Sequence, residues 1–395
     1  MNCLILKHVE QPYYEFHFEK FRGYFDNTIV LNYARYFSEN GENGLENNIR
    51  KTIHENNIDM VIIFMFHNNF ELTPGFLRSI KEKAYLVFWL FDEETYFHIH
   101  SKYIAQVADA VVTTCRYSVS YYEQLDIPAI LYLCSYSKET YFPDPSVKKD
   151  IDVSFVGSVS KSTRQGYLDY LIKNGIDVEI YGPDAKGGFL SLENMVRTFQ
   201  RSKINLNLTG MVQMNWLRRI DPMIQRIQQH KGKAIEVALT KSFVLSEYSP
   251  PLVKMFEPQK EIGIFYSKEE LLEKVRYYLE NDSERDEMAS KAYERALKEY
   301  ESDVYLQKIF TWLNDILKNG KRKDYPVYLS KLHKSRHIAF LVFSIISMLS
   351  RRKIRPAISV FPLVFRYGPI YGVYGLYLGV KNVLKRITGR YVDLT

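Results

Sequence analysis

Along the first 140 residues, short runs of consecutive apolar side chains alternate with stretches whose apolar positions recur every three or four residues. The runs fall at residues 3–6, 60–66, 86–90, 110–113 and 129–133. They have the length and continuous apolar character of parallel strands covered on both faces. Between them, residues 45–55, 74–83 and 117–125 carry the helical period. Alternation of this kind builds a doubly wound sheet. At residues 141–150, YFPDPSVKKD, two prolines and a charge cluster interrupt the pattern and mark a linker. Strands are then predicted at 153–156, 178–181, 204–208, 243–245 and 262–265, with helices near 163–173, 192–201 and 232–240. Two amphipathic helices, 268–279 and 283–300, close this second half. The expected fold class is α/β. It comprises an N-terminal Rossmann-like domain over 1–145, a second over 150–302, and a closing helix with a basic amphipathic tail over 303–395. Open α/β sheets bind ligands beyond the carboxyl ends of their strands, so a cleft between the two halves is the expected site.

Composition sharpens this picture in three places. A chain of 395 residues exceeds what one core usually organises, in keeping with two domains. The cysteines Cys3, Cys115 and Cys134 are far apart and outside any CxxC or Cys/His spacing, which argues against a disulfide framework or a zinc site. The apolar run in MNCLILKHVE is too short for a signal peptide, so a cytoplasmic location is expected.

Charge is unevenly placed. Residues 320–395 hold 15 Lys/Arg against 2 Asp, a net of +13 within a total of +7, which leaves −6 on the rest. The apolar run 337–349 is shorter than the roughly 20 residues that span a bilayer. It is followed at once by Arg351, Arg352, Lys353 and Arg355, and Pro362, Arg366 and Pro369 interrupt the next apolar stretch. The tail is expected to lie on an anionic membrane surface at the inner leaflet. The alternative is a pair of helices packed on the protein body. Nucleic acid is not an expected partner, because the tail is too apolar for a nucleic-acid arm.

Candidate chemistry clusters at strand ends. VSFVGS at 153–158 runs a buried strand into Gly157 and Ser158, with Arg164 following at a helix start. Glycine lets backbone approach an anion, helix-start N–H groups point at it, and arginine adds a bidentate charge, so the segment suits phosphate. A tight turn with a solvated arginine is the plainer account. In KGKAIEVALTKSFVLSEYS, 231–249, Lys233 and Glu236 stand one helical turn apart. A carboxylate there can accept from both hydroxyls of a ribose, although an i, i+3 surface ion pair gives the same spacing. The following strand leads to a polar turn with Glu247, Tyr248 and Ser249, expected to face the same cleft. Near the end of the strand 86–90, Asp92 is the first candidate for a general base and Glu93 the next, while either also suits a helix N-cap. His67 and His98 are rival bases.

Several stretches resemble the CgeB-like (spore-maturation) glycosyltransferases of the GT-B group, over roughly residues 55–300. They are VFWLFDEETYF (87–97), DAVVTTCRYSVSYYEQL (109–125), DVSFVGSVSKSTR (152–164), VEIYG (178–182) and the long run 233–285 that begins KAIEVALTKSFVLSEYSPP. The resemblance implies a GT-B fold and a nucleotide-sugar donor held by the C-terminal half. Glu236 would hold ribose, with Gly157, Ser158, Arg164 and Lys233 near the diphosphate, and Tyr181, Gly182, Glu247, Tyr248 and Ser249 as further donor-side residues. Two departures stand out. The position eight before Glu236, where related retaining enzymes carry another glutamate, is Gln228, and the small residue and glycine expected after the donor helix are Thr240 and Lys241. Stereochemistry is therefore left open. Asp150-Ile151-Asp152 resembles a DxD metal motif but opens a strand in the other half, so it reads as linker charge. No metal and no cofactor are expected, the nucleotide sugar being a substrate. The expected activity is sugar transfer to a glycan or polyprenyl-linked acceptor; the alternative is a non-catalytic binding scaffold of the same fold.

Overall fold

A computed structural model of the chain describes residues 1–8, 18–65, 69–93, 96–132, 136–159, 164–210, 228, 232–323 and 327–387. Its contacts divide it into two compact units, residues 1–132 with 310–395, and residues 133–309.

The first unit is built on six parallel strands: β1 (Asn2–Lys7), β2 (Asn27–Asn32), β3 (Met60–Met65), β4 (Tyr85–Leu90), β5 (Ala110–Thr113) and β6 (Ala129–Leu131), in the order β2-β1-β3-β4-β5-β6. β3, MVIIFM, is buried at every position, as a central strand covered on both faces must be. β2, NTIVLN, lacks a continuous apolar run and is half-buried at the sheet edge. Its pairing with β1, in register from Asn2 opposite Asn27 to Lys7 opposite Asn32, is what makes it a strand. Helix α1 (Tyr33–Glu55) follows, started by the Asn32 side chain accepting from the Arg35 N–H at 2.9 Å and broken by a kink at Gly41, where φ is +72°. α2 (Pro74–Lys81) and α3 (Arg116–Gln124) complete the alternation.

The second unit has five parallel strands in the order β11-β10-β9-β7-β8. They are β7 (Ile151–Val156), β8 (Val178–Tyr181), β9 (Ser202–Asn207), β10 (Val244–Glu247) and β11 (Gly263–Phe265). Their crossovers include α4 (Arg164–Lys173), α5 (Leu192–Arg201) and α6 (Lys233–Leu239); α7 (Lys268–Glu280), α8 (Asp282–Glu299) and α9 (Ser302–Lys318) follow. Val153, Phe155, Ile204, Leu206, Leu245 and Phe265 belong to its core.

The chain ends in α10 (Lys331–Ser350), α11 (Ile354–Val360) and α12 (Pro369–Ile387). Ile338, Leu341, Val342 and Met348 of α10 join Leu4, Ile63 and Phe88 in the core of the first unit. The tail is thus packed on that unit through an inner face, as the alternative expectation had it. α12 lies on α10 through glycine: a Cβ at Gly375 would come within 2.7 Å of the Ile338 Cβ. With glycine inward, the bulky side chains point outward, leaving Ile370 84% and Val373 64% exposed. Among the described residues, no helix is long and apolar enough to cross a membrane.

Candidate functional site

In the second sheet β7 pairs with β8 on one side and β9 on the other, and the chain proceeds outward in both directions. This is the topological switch point, where the carboxyl ends of neighbouring strands leave a crevice for a ligand. At the end of β7, the Gly157 N–H donates to the Tyr181 carbonyl at 2.8 Å. Gly182 has φ +156°, and a Cβ there would lie 2.7 Å from the Gly157 carbonyl carbon, so the two strand ends close up only around glycine. The next residues are pinned by Asp184. The Ser158 hydroxyl donates to its Oδ2 at 2.6 Å and the Val159 N–H to its Oδ1 at 2.9 Å.

Arg164 opens α4 and reaches back to this loop. Its Nη1 donates to the Ser158 carbonyl at 3.1 Å, and the guanidinium lies 5.9 Å from the centre of the Phe155 ring. Its Nε is buried without a hydrogen-bond partner. Burial lowers the pKa of Arg164, against the pull of Glu247 and Asp184. A backbone N–H and a hydroxyl therefore converge on one carboxylate, with a partly desolvated arginine beside them. The anion position of this loop is filled by the chain's own Asp184.

The adjoining wall is made by the ends of β9 and β10. Glu247 is buried and accepts from the Thr209 N–H at 2.8 Å, the Gly210 N–H at 3.0 Å and Gln228 Nε2 at 3.2 Å. Tyr167 is a further partner: burial first, and then the Glu247 charge and hydrogen bond, push its phenol up to about 12. With both oxygens engaged, Glu247 ties strand ends together beneath the crevice. Ser249 is likewise buried and donates to the Gln228 carbonyl at 3.2 Å. Tyr248 is half-buried and stacks on the exposed Tyr266 at 5.0 Å, and Tyr181 donates to Glu179 at 2.6 Å.

Lys233 and Glu236 form the ion pair that their spacing allows, at 2.8 Å, on the first turns of α6. The Lys233 ammonium also lies 4.9 Å from the Phe199 ring centre and 3.9 Å from Met195 Sδ, both on α5. After the helix, Lys241 takes φ +55°, the left-handed conformation that glycine adopts without strain. Lys241 therefore takes here a conformation that glycine would adopt more readily.

In the first unit, Asp92 follows β4 with φ +54°, half-buried, its N–H donating to Thr114 Oγ1 at 3.2 Å. Glu93 turns inward. The hydroxyls of Thr113 and Tyr122 both donate to it, and burial raises its pKa. It binds β5 and α3 to the end of β4. His98 is exposed, against Phe97 and Tyr121, and His67 lies outside the described residues. Asp150 receives Arg201 at 2.8 Å and Asp152 receives Lys203 at 2.6 Å, so the DxD-like carboxylates are engaged in ion pairs. Sequence reasoning missed Asp184, Tyr167 and Thr209. Asp184 had a signal in the Gly182-Pro183-Asp184 turn, whereas nothing local marks Tyr167 or Thr209.

Residues 164–311 match the glycosyl transferase-like family. HepE from Anabaena, solved in complex with UDP, shares the fold with a TM-score of 0.58 at 13% identity, covering 80% of this chain and 100% of that one. The same protein in complex with UDP-glucose gives 0.58 at 12% identity, with coverage of 80% and 100%. Sucrose-phosphate synthase from Thermosynechococcus elongatus gives 0.58 at 8% identity, covering 81% of this chain and 100% of that one. No curated protein matches the sequence significantly. The chain has the GT-B fold, two Rossmann-like α/β domains with a helical C-terminal part.

Proposed function

We propose that this protein is a glycosyltransferase that takes a sugar from a nucleotide diphosphate and passes it to a glycan or polyprenyl-linked acceptor. The observation that carries the reading is the anion cradle at the β7–β9 switch point, made by Gly157, Ser158, Val159 and Arg164. The match to the glycosyl transferase-like family, starting at Arg164, and the fold shared with proteins solved with UDP support it. In this reading the diphosphate displaces Asp184 from the loop. Arg164 and the backbone amides then neutralise the charge that grows on the leaving group as the bond to the anomeric carbon breaks. Glu236, oriented by Lys233, receives the ribose hydroxyls. Asp92 accepts the proton of the acceptor hydroxyl. No metal is assigned to any step.

The C-terminal helices supply the second half of the proposal, peripheral docking on an anionic membrane at its cytoplasmic face. α12 presents Ile370, Val373, Tyr374, Tyr377, Val380 and Leu384 outward, and Arg351 and Arg352 are exposed on the turn after α10. Apolar side chains entering the leaflet and cations at its headgroups are the two terms that hold such helices. A non-catalytic nucleotide-sugar-binding scaffold is the second reading, favoured by Gln228 at the position that resemblance assigns to another glutamate.

A thermal-shift panel of UDP, GDP, CDP, dTDP and their sugars, with Glu236→Ala as control, tests the donor site. A shift for one nucleotide that vanishes in the variant is expected. Binding without turnover on any acceptor establishes the scaffold reading, and no shift with any nucleotide overturns the donor site. Flotation with phosphatidylglycerol vesicles tests docking: the full chain is expected to float, and a Val373→Glu/Tyr377→Glu variant to stay in the soluble fraction.

A further inference from the structure

The first unit contains a pocket of about 210 Å³ that the transfer chemistry does not use. It opens among α1, the segment 69–71 and the last turns of α10, and its lining includes Phe37, Asn69, Glu71, Phe340, Phe343 and Arg351. The lining carries groups of opposite charge. Glu71 is only 6% exposed; its carboxyl is hydrogen-bonded by the Asn69 side chain and the backbone of Phe70 and Glu71, its Oε2 has no hydrogen-bond partner among the described residues, and burial pushes it up to about 7 against those bonds. Phenylalanine rings share the lining, with Phe37 and Phe340 at 5.8 Å between centres. Lys353 also lines the pocket, and the turn that carries Arg351 and Lys353 joins α10 to α11. Arg351 is exposed, while Lys353 reaches Glu39 at 3.6 Å.

A buried carboxyl lacking a counter-charge, walled by aromatic faces, suits an alkylammonium, which supplies both the charge and a cation for the rings. Two cations on the adjoining turn suit a phosphate. Both groups belong to one small ligand. We propose that this pocket takes the phosphoethanolamine headgroup of a membrane phospholipid, its ammonium on Glu71 among the phenylalanine rings and its phosphate on Arg351 and Lys353. The lipid source rests on the docking reading given above. It is supported by Leu349, Ile354 and Ile358, exposed on either side of the same basic turn, where acyl chains would lie. The pocket chemistry stands without that reading.

Titration calorimetry of the full chain with O-phosphoethanolamine, ethanolamine and inorganic phosphate separates the two requirements. O-Phosphoethanolamine is expected to bind and each half alone to bind far more weakly. Glu71→Gln, and separately Arg351→Ala with Lys353→Ala, should each weaken binding roughly ten-fold or more, with unfolding temperature checked to exclude misfolding. Absence of binding, equal binding of inorganic phosphate, or full affinity in a folded Glu71→Gln variant overturns the pocket assignment. Vesicle flotation then tests the source. Vesicles of equal parts phosphatidylethanolamine and phosphatidylglycerol should capture more wild-type protein than phosphatidylglycerol alone, and Glu71→Gln should lose only that increment. Soluble binding without the increment overturns the lipid as the source, and soluble binding with no flotation on either vesicle overturns the docking reading alone.

Discussion

Replacing Arg164 by alanine separates a ligand-binding role from a structural one, because the two predict opposite effects on stability. Among the described residues the side chain gives one hydrogen bond, Nη1 to the Ser158 carbonyl at 3.1 Å, worth about 1 kcal/mol net. Against this stands its buried, unpartnered Nε, and leaving a buried donor unsatisfied costs about 1–3 kcal/mol. Truncation removes both terms, so a residue kept for ligand binding should leave the unfolding free energy unchanged or raise it by up to about 2 kcal/mol. With a diphosphate bound, the guanidinium gains a charge-assisted partner, and its loss should cost about 1.5–3 kcal/mol of affinity. That corresponds to a rise in Kd of roughly 10- to 150-fold for the nucleoside diphosphate. Calorimetric titration with the preferred nucleotide, paired with denaturant unfolding, measures both quantities on the same preparation. Wild-type affinity in Arg164→Ala would remove the phosphate from this loop. A parallel collapse of stability and affinity would make the arginine a structural residue.

Asp184→Asn removes the competing charge and keeps one acceptor, Oδ1 for the Val159 N–H, while its amide N–H2 donates to the Ser158 hydroxyl, so nucleotide affinity should rise several-fold; an unchanged or weaker Kd by titration refutes displacement at this loop. Asp92→Asn, at a left-handed position that asparagine tolerates, should leave donor affinity intact in the same titration and abolish turnover in a sugar-transfer assay with the identified acceptor. Glu71 has a folded pKa of about 7 against an ordinary 4.5, so the folded state binds the extra proton between these values and loses that stability as pH rises through 7. Glu71→Gln should therefore gain on wild type by up to about 3 kcal/mol at pH 8 and by little at pH 4, read from urea unfolding at both. Gly375→Val would force α12 off α10 and should cost about 1–3 kcal/mol in the same unfolding assay.

Much of the architecture was legible because burial on both faces writes itself into consecutive apolar residues. MVIIFM and YLVFWL admit no other inexpensive placement, and both are strands at the expected positions. β2 escaped notice for the converse reason: NTIVLN is a half-buried edge strand defined by its ladder with β1. The first turns of α1 were equally silent, since FSENGENG offers glycine and polar residues where a helix usually shows an apolar stripe. At the candidate site, Gly157, Gly182 and Arg164 were marked by type and position, because close backbone approach and anion charge each restrict the residues that will serve. Glu93 and Glu247 could not be sorted from Asp92 in the same way. All three stand at or just past a strand end, and only packing decides which carboxylate meets hydroxyls and amides inside.

The sequence by itself thus determined the strand and helix succession, the two-sheet α/β class and the glycine-bearing loop after β7, since these follow from local periodicity and from conformations that few residues permit. Tertiary structure decided the strand order that makes the β7–β9 switch point, the inward turn of Glu93 and Glu247, the capture of the anion position by Asp184, and the outward apolar face of α12. These depend on which distant segments meet. Segments such as 209–210 and 244–247, or Gly375 and Ile338, are neighbours only in the folded chain, where one partner's shape fixes the direction of the other's side chain.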